Sequence, residues 1–150
     1  MSYDSALPKK YELVETVNTA VQNVSDSFEE ISGSKIDYNF LEGNFVIYKF
    51  SFYMNCNGTQ TSSIFRLETS SDNSSWSYIT GCACMYGDDR TNENQKTNIN
   101  IFFVVPVGNI SRYLRLSGKS NTSSTNFDLF QSEFEGSNIY INSILEVYTI

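Results

Sequence analysis

The feature that most constrains the fold of this chain is the alternation of apolar and polar residues with a period of two. The clearest example runs from Phe45 to Asn55. Successive side chains of a β-strand point to opposite faces of a sheet, so residues of one parity share a face. One face of this strand is apolar and is predicted to lie in a core or a subunit interface: Val46, Tyr48, Phe50, Phe52 and Met54. The opposite face carries Phe45, Ile47, Lys49, Ser51 and Tyr53.

Short segments of similar character fill most of the remaining chain, and turn-forming residues separate them. This spacing predicts about nine or ten strands and no helix. The segments are Tyr11–Val24, Phe28–Ile31, Lys35–Leu41, Ser63–Thr69, Trp76–Met85, Asn98–Val107, Arg112–Gly118, Asn126–Glu135 and Ile139–Ile150.

The first of these segments has a second interpretation. Val14, Val17 and Val21 also have the spacing of one face of a helix. The segment contains four valines and two threonines. Because β-branched residues lower helix propensity, a strand is favoured.

The pattern predicts an all-β fold, namely an antiparallel two-sheet jelly-roll sandwich. We expect a single domain over residues 1–150. Residues 1–10 precede the first strand and are either an ordered, extended N-terminal arm that grips a neighbour or a loose end. The last strand is predicted to be buried through Ile139, Ile141, Ile144, Val147 and Ile150.

Charge and hydropathy exclude two classes of partner. Acidic residues outnumber basic residues 17 to 10, so the net charge of −7 repels a phosphate backbone and nucleic acid is not expected. The longest apolar run, Ile101–Val105, is far shorter than the roughly 20 residues of a membrane-spanning helix, so membrane insertion is not expected either. Met1–Lys10 lacks the apolar segment of a signal peptide, which predicts synthesis in a host cytoplasm without export.

The cysteines predict reduced thiols rather than disulfides or metal ligands. There are three of them, Cys56, Cys82 and Cys84, and no histidine. Asp88 and Asp89, with Asn92 and Glu93, have the oxygen atoms that calcium prefers, but their spacing matches no defined calcium loop. An ordinary exposed loop is the favoured interpretation there, and no metal or cofactor is predicted.

The composition also argues against an enzyme. Without histidine, the usual general base is missing. Two carboxylates can hydrolyse a glycosidic bond, and the candidate pairs are Glu29 with Glu30, Asp88 with Asp89, and Glu133 with Glu135. Only the last pair shares a strand face, where it flanks a shallow surface rather than a cleft. We therefore assign no catalytic residue.

Aromatic residues make up 15% of the chain, and ten of them are tyrosines. A tyrosine ring can be buried while its hydroxyl keeps a polar contact, which suits protein interfaces. Tyr53, Tyr140 and Tyr148 lie outside the predicted core face and are candidates for a subunit interface. The alternative is that they are scattered over an ordinary surface.

Two segments resemble the discoidin-like carbohydrate-binding jelly rolls. Phe65–Trp76 is similar to a hairpin of that family in which a strand, a Ser-Ser-Asp turn and a tryptophan recur. Arg112–Leu116, with the sequence RYLRL, is similar to another of its strands. This resemblance implies that Trp76 and Tyr78 contact a glycan.

A second resemblance spans most of the chain. The order of Phe28–Tyr38, Val46–Tyr53 and Gly136–Ile141, closing on Ile144–Tyr148, resembles the trimeric jelly rolls of the tumour necrosis factor and complement globular-head type. These are widespread as virus and phage surface proteins. The resemblance implies a homotrimer with its C-terminal strand near the threefold axis, and no metal or receptor residue of the family finds a match here.

Together these features favour a non-enzymatic virion structural protein: a capsid decoration, cement or fibre-head domain at the virion surface. Its expected partners are copies of itself, other capsid proteins, and a host surface glycan or receptor. The alternative is a carbohydrate-binding jelly-roll module, and a two-carboxylate hydrolase is the third hypothesis.

Overall fold

The computed structural model describes residues 11–37, 43–56, 62–87, 95–121, 127–134 and 137–150. These residues form thirteen strands and one short 3-10 turn, Val107–Asn109. The strands are β1 (Tyr11–Thr16), β2 (Gln22–Val24), β3 (Glu29–Glu30), β4 (Ile36–Asp37), β5 (Phe45–Cys56), β6 (Ser62–Ser70), β7 (Ser77–Gly87), β8 (Gln95–Pro106), β9 (Tyr113–Ser120), β10 (Phe127–Leu129), β11 (Gln131–Phe134), β12 (Ser137–Tyr140) and β13 (Ser143–Thr149).

The first sheet is built around β5, the strand with the clearest alternation. β8 pairs with β5 along its whole length, from Phe45 opposite Pro106 to Cys56 opposite Gln95. The other edge of β5 is shared by β13 and β10, which in turn pair with β1 and β2. All of these pairings are antiparallel. At one end of β5 the strand order is β1-β13-β5-β8, and at the other end it is β2-β10-β5-β8.

The second sheet has the order β7-β6-β9, and β3 and β4 share the far edge of β9. A separate hairpin joins β11 to β12. The two larger sheets face each other across the core, which confirms the predicted antiparallel two-sheet jelly-roll sandwich.

The core consists of the inward parities of both sheets. Its largest fully buried side chains are Tyr48, Phe50, Phe52, Phe65, Phe127, Phe130, Ile31, Leu67, Ile99, Leu114 and Leu116. Phe65 of the second sheet makes edge-on contacts with Phe52 and Phe127 of the first, with ring centroids 5.3 and 5.7 Å apart. The apolar face predicted for β5 is therefore core rather than subunit interface.

Tyr48 brings one polar group into this core. Its hydroxyl donates a hydrogen bond of 2.6 Å to the carbonyl oxygen of Ser34. Burial raises the pKa of Tyr48 well above its usual value, so the phenol stays neutral.

Three predicted strands are each divided in two in the structure. The first segment separates into β1 and β2, where the Asn18 side chain donates to the carbonyl oxygen of Ile141 at 2.7 Å. The segment Asn126–Glu135 breaks between β10 and β11 at Phe130, whose φ is 77°. The final segment breaks between β12 and β13, and Ile141 donates its N–H to the carbonyl oxygen of Phe130.

The predicted burial of the last segment was only partly right. Val147 is fully buried, but Ile139, Ile144 and Ile150 are 43, 45 and 51% exposed. The reason is strand parity: Ile144 and Ile150 have the opposite parity to Val147, so they lie on the outer face of the first sheet.

The cysteines and loops can be placed only in part. Cys82 is buried and Cys84 is half-buried, and both are free thiols. Burial raises the pKa of Cys84 to about 11, which keeps it protonated at neutral pH. Several predictions fall outside the described residues or side chains: residues 1–10, Tyr38–Leu41, the Asp88–Asp89 loop, and the side chains of Cys56, Glu133 and Glu135.

Candidate assembly surface

The outer face of the first sheet is largely apolar and faces away from the core. In register, Ile47 of β5 lies between Tyr148 and Val104, and Tyr11 of β1 lies beside Tyr148. Six large apolar or aromatic side chains of this face are 43 to 57% exposed: Tyr11, Leu13, Phe45, Phe102, Val104 and Ile144. We call these six, with Ile47 and Tyr148, the apolar face.

One ion pair lies at the centre of the apolar face. The Lys49 ammonium is 3.5 Å from a carboxylate oxygen of Glu146, its neighbour across the β5-β13 ladder. The same ammonium lies 5.8 Å from the ring centre of Phe102 and 5.5 Å from that of Tyr148. Contact with the Tyr148 hydroxyl, and less so with Glu146, raises the pKa of Lys49.

Tyr11 completes this polar centre. Its hydroxyl donates a hydrogen bond of 2.7 Å to Glu146, and this bond raises the pKa of Tyr11. Its ring stacks on that of Tyr148, with centroids 6.1 Å apart and planes at 28°. The charges at the centre of the apolar face are thus matched within one chain.

The three tyrosines predicted for a subunit interface do not lie together. Tyr148 is part of the apolar face. Tyr53 has the same parity on β5 but lies six residues beyond Ile47, the partner of Tyr148, about 20 Å along the strand. Tyr140 belongs to the separate β11-β12 hairpin.

Several members of the apolar face were missed by the analysis of the sequence. Phe102 and Val104 belong to the run Ile101–Val105, in which residues of both parities are apolar. Such a run is typical of a strand covered on both faces. The apolar run therefore indicates that the outer face of β8 is covered, as its inner face is by the core.

The outer face of the second sheet is charged and internally bonded. The carboxylate of Glu68, whose side chain is 3% exposed, accepts hydrogen bonds from Arg66 at 2.9 Å and Arg115 at 2.8 Å. Arg115 also lies 3.4 Å from Glu30. The Arg66 guanidinium lies 3.8 Å from the ring centre of Phe28.

The two residues predicted to contact a glycan lie at the end of this second face. Trp76 is half-buried, and the Arg115 guanidinium covers its ring at 4.2 Å from the ring centre. Tyr78, directly opposite Glu68, is 42% exposed. The Arg66 guanidinium lies 5.8 Å from the Tyr78 ring centre, farther than Arg115 from Trp76, so Tyr78 is the more accessible of the two rings.

Within the described ranges, no three of the histidine, cysteine and carboxylate side chains are grouped closely enough to hold a metal ion. No helix in the part of the chain that the structure describes has the length and hydropathy needed to cross a membrane.

The comparisons with known proteins identify the fold. No protein-family model matches the chain, and no curated protein matches it in sequence. The structure of Eiger TNF from S. frugiperda is similar with a TM-score of 0.54 at 10% identity, over 96% of this chain and 94% of that chain. The structure of infectious bursal disease virus Gx strain has a TM-score of 0.42 at 8% identity, over 95% of this chain and 37% of that chain.

At such identities a likeness shows the fold alone, and the viral likeness is too loose to support a conclusion. The likeness to Eiger TNF covers nearly all of both chains. The chain therefore has a jelly roll of the tumour necrosis factor type, as the resemblance in the sequence predicted.

Proposed function

We propose that this chain is a non-enzymatic structural protein of a virion that assembles as a homotrimer, with the apolar face as its subunit interface. The observation that carries the proposal is the set of six exposed large apolar or aromatic side chains on one sheet face. Isolated exposed hydrophobic residues are ordinary, but a contiguous patch of them marks an interaction site.

The size of the apolar face supports this role. Four strands about 4.8 Å apart, lying side by side over roughly 23 Å, cover about 440 Å². This is within the range of the patches that monomers expose, about 300–600 Å². It is more than half of the roughly 800 Å² that each partner contributes to a standard interface. The apolar face would thus form the centre of an interface, and neighbouring segments would complete it.

The charges favour a second copy of the chain as the occupant. A buried charge without a partner is strongly destabilising, whereas a matched pair avoids most of that penalty. Lys49 and Glu146 already satisfy each other within one chain. The centres of two such faces can therefore meet with this pair still matched, although the chain as a whole has a net charge of −7. At the margin, the Glu15 carboxylate beside Ile144 accepts a hydrogen bond of 3.0 Å from the Asn142 amide.

The virion role and the threefold symmetry are supported by the sequence. Its order of segments resembles trimeric jelly rolls that are widespread on virus surfaces, and the usual catalytic base is missing from the composition. We propose a decoration, cement or fibre-head role, with other capsid proteins or a host surface receptor as further partners. Tyr53 and Tyr140 remain predicted contacts at the edges of the interface.

Solution mass tests the assembly. The wild-type chain is expected to have three times the mass of one 17.0 kDa chain in light scattering across a dilution series. Leu13→Glu places a second carboxylate beside Glu146 on the apolar face and is expected to give monomers. Met85→Glu is the matched control, since Met85 is 61% exposed against 57% for Leu13 but lies on the second sheet.

A folded wild-type monomer at micromolar concentration would contradict the proposed trimer. A trimer that tolerates Leu13→Glu as well as Met85→Glu would place the interface elsewhere. Immunogold electron microscopy of intact particles, with antibody raised against the purified protein, tests the location independently; label on the particle surface is expected, and its absence would contradict the virion role.

A further inference from the structure

A shallow cavity, open to solvent, lies at the end of the second sheet, between β7 and the 3-10 turn that follows β8. Its volume is about 360 Å³, within the range of small-molecule sites. The residues that line it are Thr69, Ser77, Tyr78, Ile79, Thr80 and Asn109. None of these side chains carries a formal charge at neutral pH.

An unusually large β-bulge forms one wall of this cavity. Arg66 of β6 pairs with Ala83, but Glu68 pairs with Tyr78, so the four residues from Ile79 to Cys82 lie opposite Leu67 alone. Gly81 has a φ of 87°, and its N–H donates to the Tyr78 hydroxyl at 3.2 Å. Bulges of this kind re-aim side chains and are frequent beside functional sites.

The polar groups around the cavity differ in availability. The Thr69 hydroxyl is already used, because it donates to the carbonyl oxygen of Tyr113 and accepts from the N–H of Ser111, both at 3.0 Å. The side chains of Ser77, Thr80 and Asn109 make no hydrogen bond with the described residues and are exposed. They offer two hydroxyls and one amide to a ligand.

We propose that this cavity binds a neutral pyranose unit. The C–H groups on one face of a sugar ring would contact the exposed ring of Tyr78, whose π-face is weakly negative. The sugar hydroxyls, which both donate and accept, would bond to Ser77, Thr80 and Asn109. The absence of charge among the lining residues disfavours phosphate, carboxylate and metal ligands.

This site differs from the glycan contact that the sequence implied. Tyr78 remains its aromatic wall, but Trp76 does not line the cavity and its ring is covered by Arg115. The site lies on the second sheet, away from the apolar face, so it does not depend on the proposed trimer.

The experiment titrates the full-length protein at millimolar ligand concentration, followed by ligand-observed NMR. The ligands are the neutral methyl glycosides of glucose, galactose, mannose and N-acetylglucosamine, with the methyl glycoside of sialic acid as the anionic comparison. The two test variants are Tyr78→Ala and Asn109→Ala. Trp76→Ala is the control on the same hairpin, and solution mass is measured for each variant to separate loss of the site from loss of assembly.

The expected result is binding of at least one neutral glycoside, weakened at least about tenfold by both test variants and unchanged by Trp76→Ala. Asn109 lies in an exposed turn, so Asn109→Ala keeps the test valid even if Tyr78→Ala does not fold. No binding by any neutral sugar would overturn the proposal. Binding that survives both test variants, or a preference for anionic sialic acid, would also overturn it.

A second titration with the free sugars identifies the source of the ligand. Retained binding of the methyl glycoside supports recognition of a terminal unit of a glycan, because its anomeric oxygen is blocked as it is in a chain. Binding of only the unblocked sugar supports a free monosaccharide.

Discussion

Both outer faces of the sandwich carry apolar or aromatic side chains, but the two faces differ in how these side chains are covered. On the second sheet, long side chains cover the strands: Arg66 lies between Phe28 and Glu68, and Arg115 lies between Trp76 and Glu68. On the first sheet, aromatic and aliphatic side chains stand exposed around one ion pair.

The difference separates a face that is complete in one chain from a face that is not. Arginine can cover apolar surface with its stem while its guanidinium stacks and bonds, so the second face needs no partner. The apolar face has little of this cover, since its ion pair shields only Phe102 and Tyr148. Whether a sheet face needs a partner therefore depends on whether long polar side chains cover its hydrophobic residues, and not only on the number of hydrophobic residues.

Removal of the Glu68 carboxylate should disrupt the hydrogen bonds of the second face and cause the largest loss in the free energy of unfolding. Glu68→Ala leaves two guanidinium groups without their shared carboxylate, and we expect the free energy of unfolding to fall by about 3 kcal/mol. Urea denaturation at one protein concentration measures it. Asp37→Ala is the control, because Asp37 binds Arg112 in an exposed pair and should cost no more than about 1 kcal/mol. Equal losses for the two variants would contradict the comparison.

Removing Lys49 should have a smaller effect that depends on assembly. In a monomer the Lys49 and Glu146 side chains are 43 and 29% exposed, so Lys49→Ala should lower the free energy of unfolding much less than Glu68→Ala does. If the apolar face is buried in a trimer, Glu146 loses its partner there, and association should weaken roughly thirtyfold. Sedimentation across a dilution series measures this.

The double variant Lys49→Met with Glu146→Leu sharpens that result. It removes both charges and should restore most of the association, because no buried charge is left unpaired and the remaining loss is that of the acceptor for the Tyr11 hydroxyl. Association that is equally weak in the single and double variants would show that the pair itself, and not an unpaired charge, matters.

The smallest effect is expected at the hairpin that presents Trp76 to the second face. The Asp72 carboxylate accepts the N–H groups of Ser75 and Ser74 and the hydroxyl of Ser70, each at 2.9 Å. These bonds, that of Ser75 first, lower the pKa of Asp72 from 3.8. The folded state thus gains stability above the unfolded pKa and loses it as pH falls through the folded one.

Asp72→Asn should therefore destabilise the protein at neutral pH by less than Glu68→Ala does, with the deficit shrinking in acid. Thermal unfolding of both proteins across an acid pH series measures this. A deficit that is constant over the whole series would contradict the assigned role of the carboxylate.

The fold was predictable where one parity of a strand is apolar and the other is not. In β5 the alternation placed Val46 and Tyr48 in the core correctly, because parity decides burial once the strand is paired. The continuous run in β8 indicates cover on both faces but does not show which parity faces the core, so Phe102 could not be assigned to a face. Ile144 was predicted to be buried from its residue type, although its parity opposes that of Val147.

The predicted interface tyrosines and the cavity beside Tyr78 also differed in how far the sequence could predict them, for similar reasons. Tyr148 was named because it lies outside the predicted core face, and it does lie on the outer face of the first sheet, where its interface role stays a prediction. The position of Tyr140 depends on the backbone turn at Phe130, which follows no local sequence rule. The cavity beside Tyr78 depends on a bulge. Gly81 is its only sequence signal, and a single glycine does not give the number of extra residues.

The position of β13 has a consequence for the folding of the chain during translation. β13 lies between β1 and β5, yet these two strands come much earlier in the chain. A nascent chain that has emerged only to residue 142 holds β1 and β5 with no strand to join them, and it exposes both sheet edges and apolar side chains. Such distant pairing slows folding and favours aggregation of the incomplete chain. The pairing of β5 with β8 can precede β13, but completion of the first sheet must wait for translation of β13.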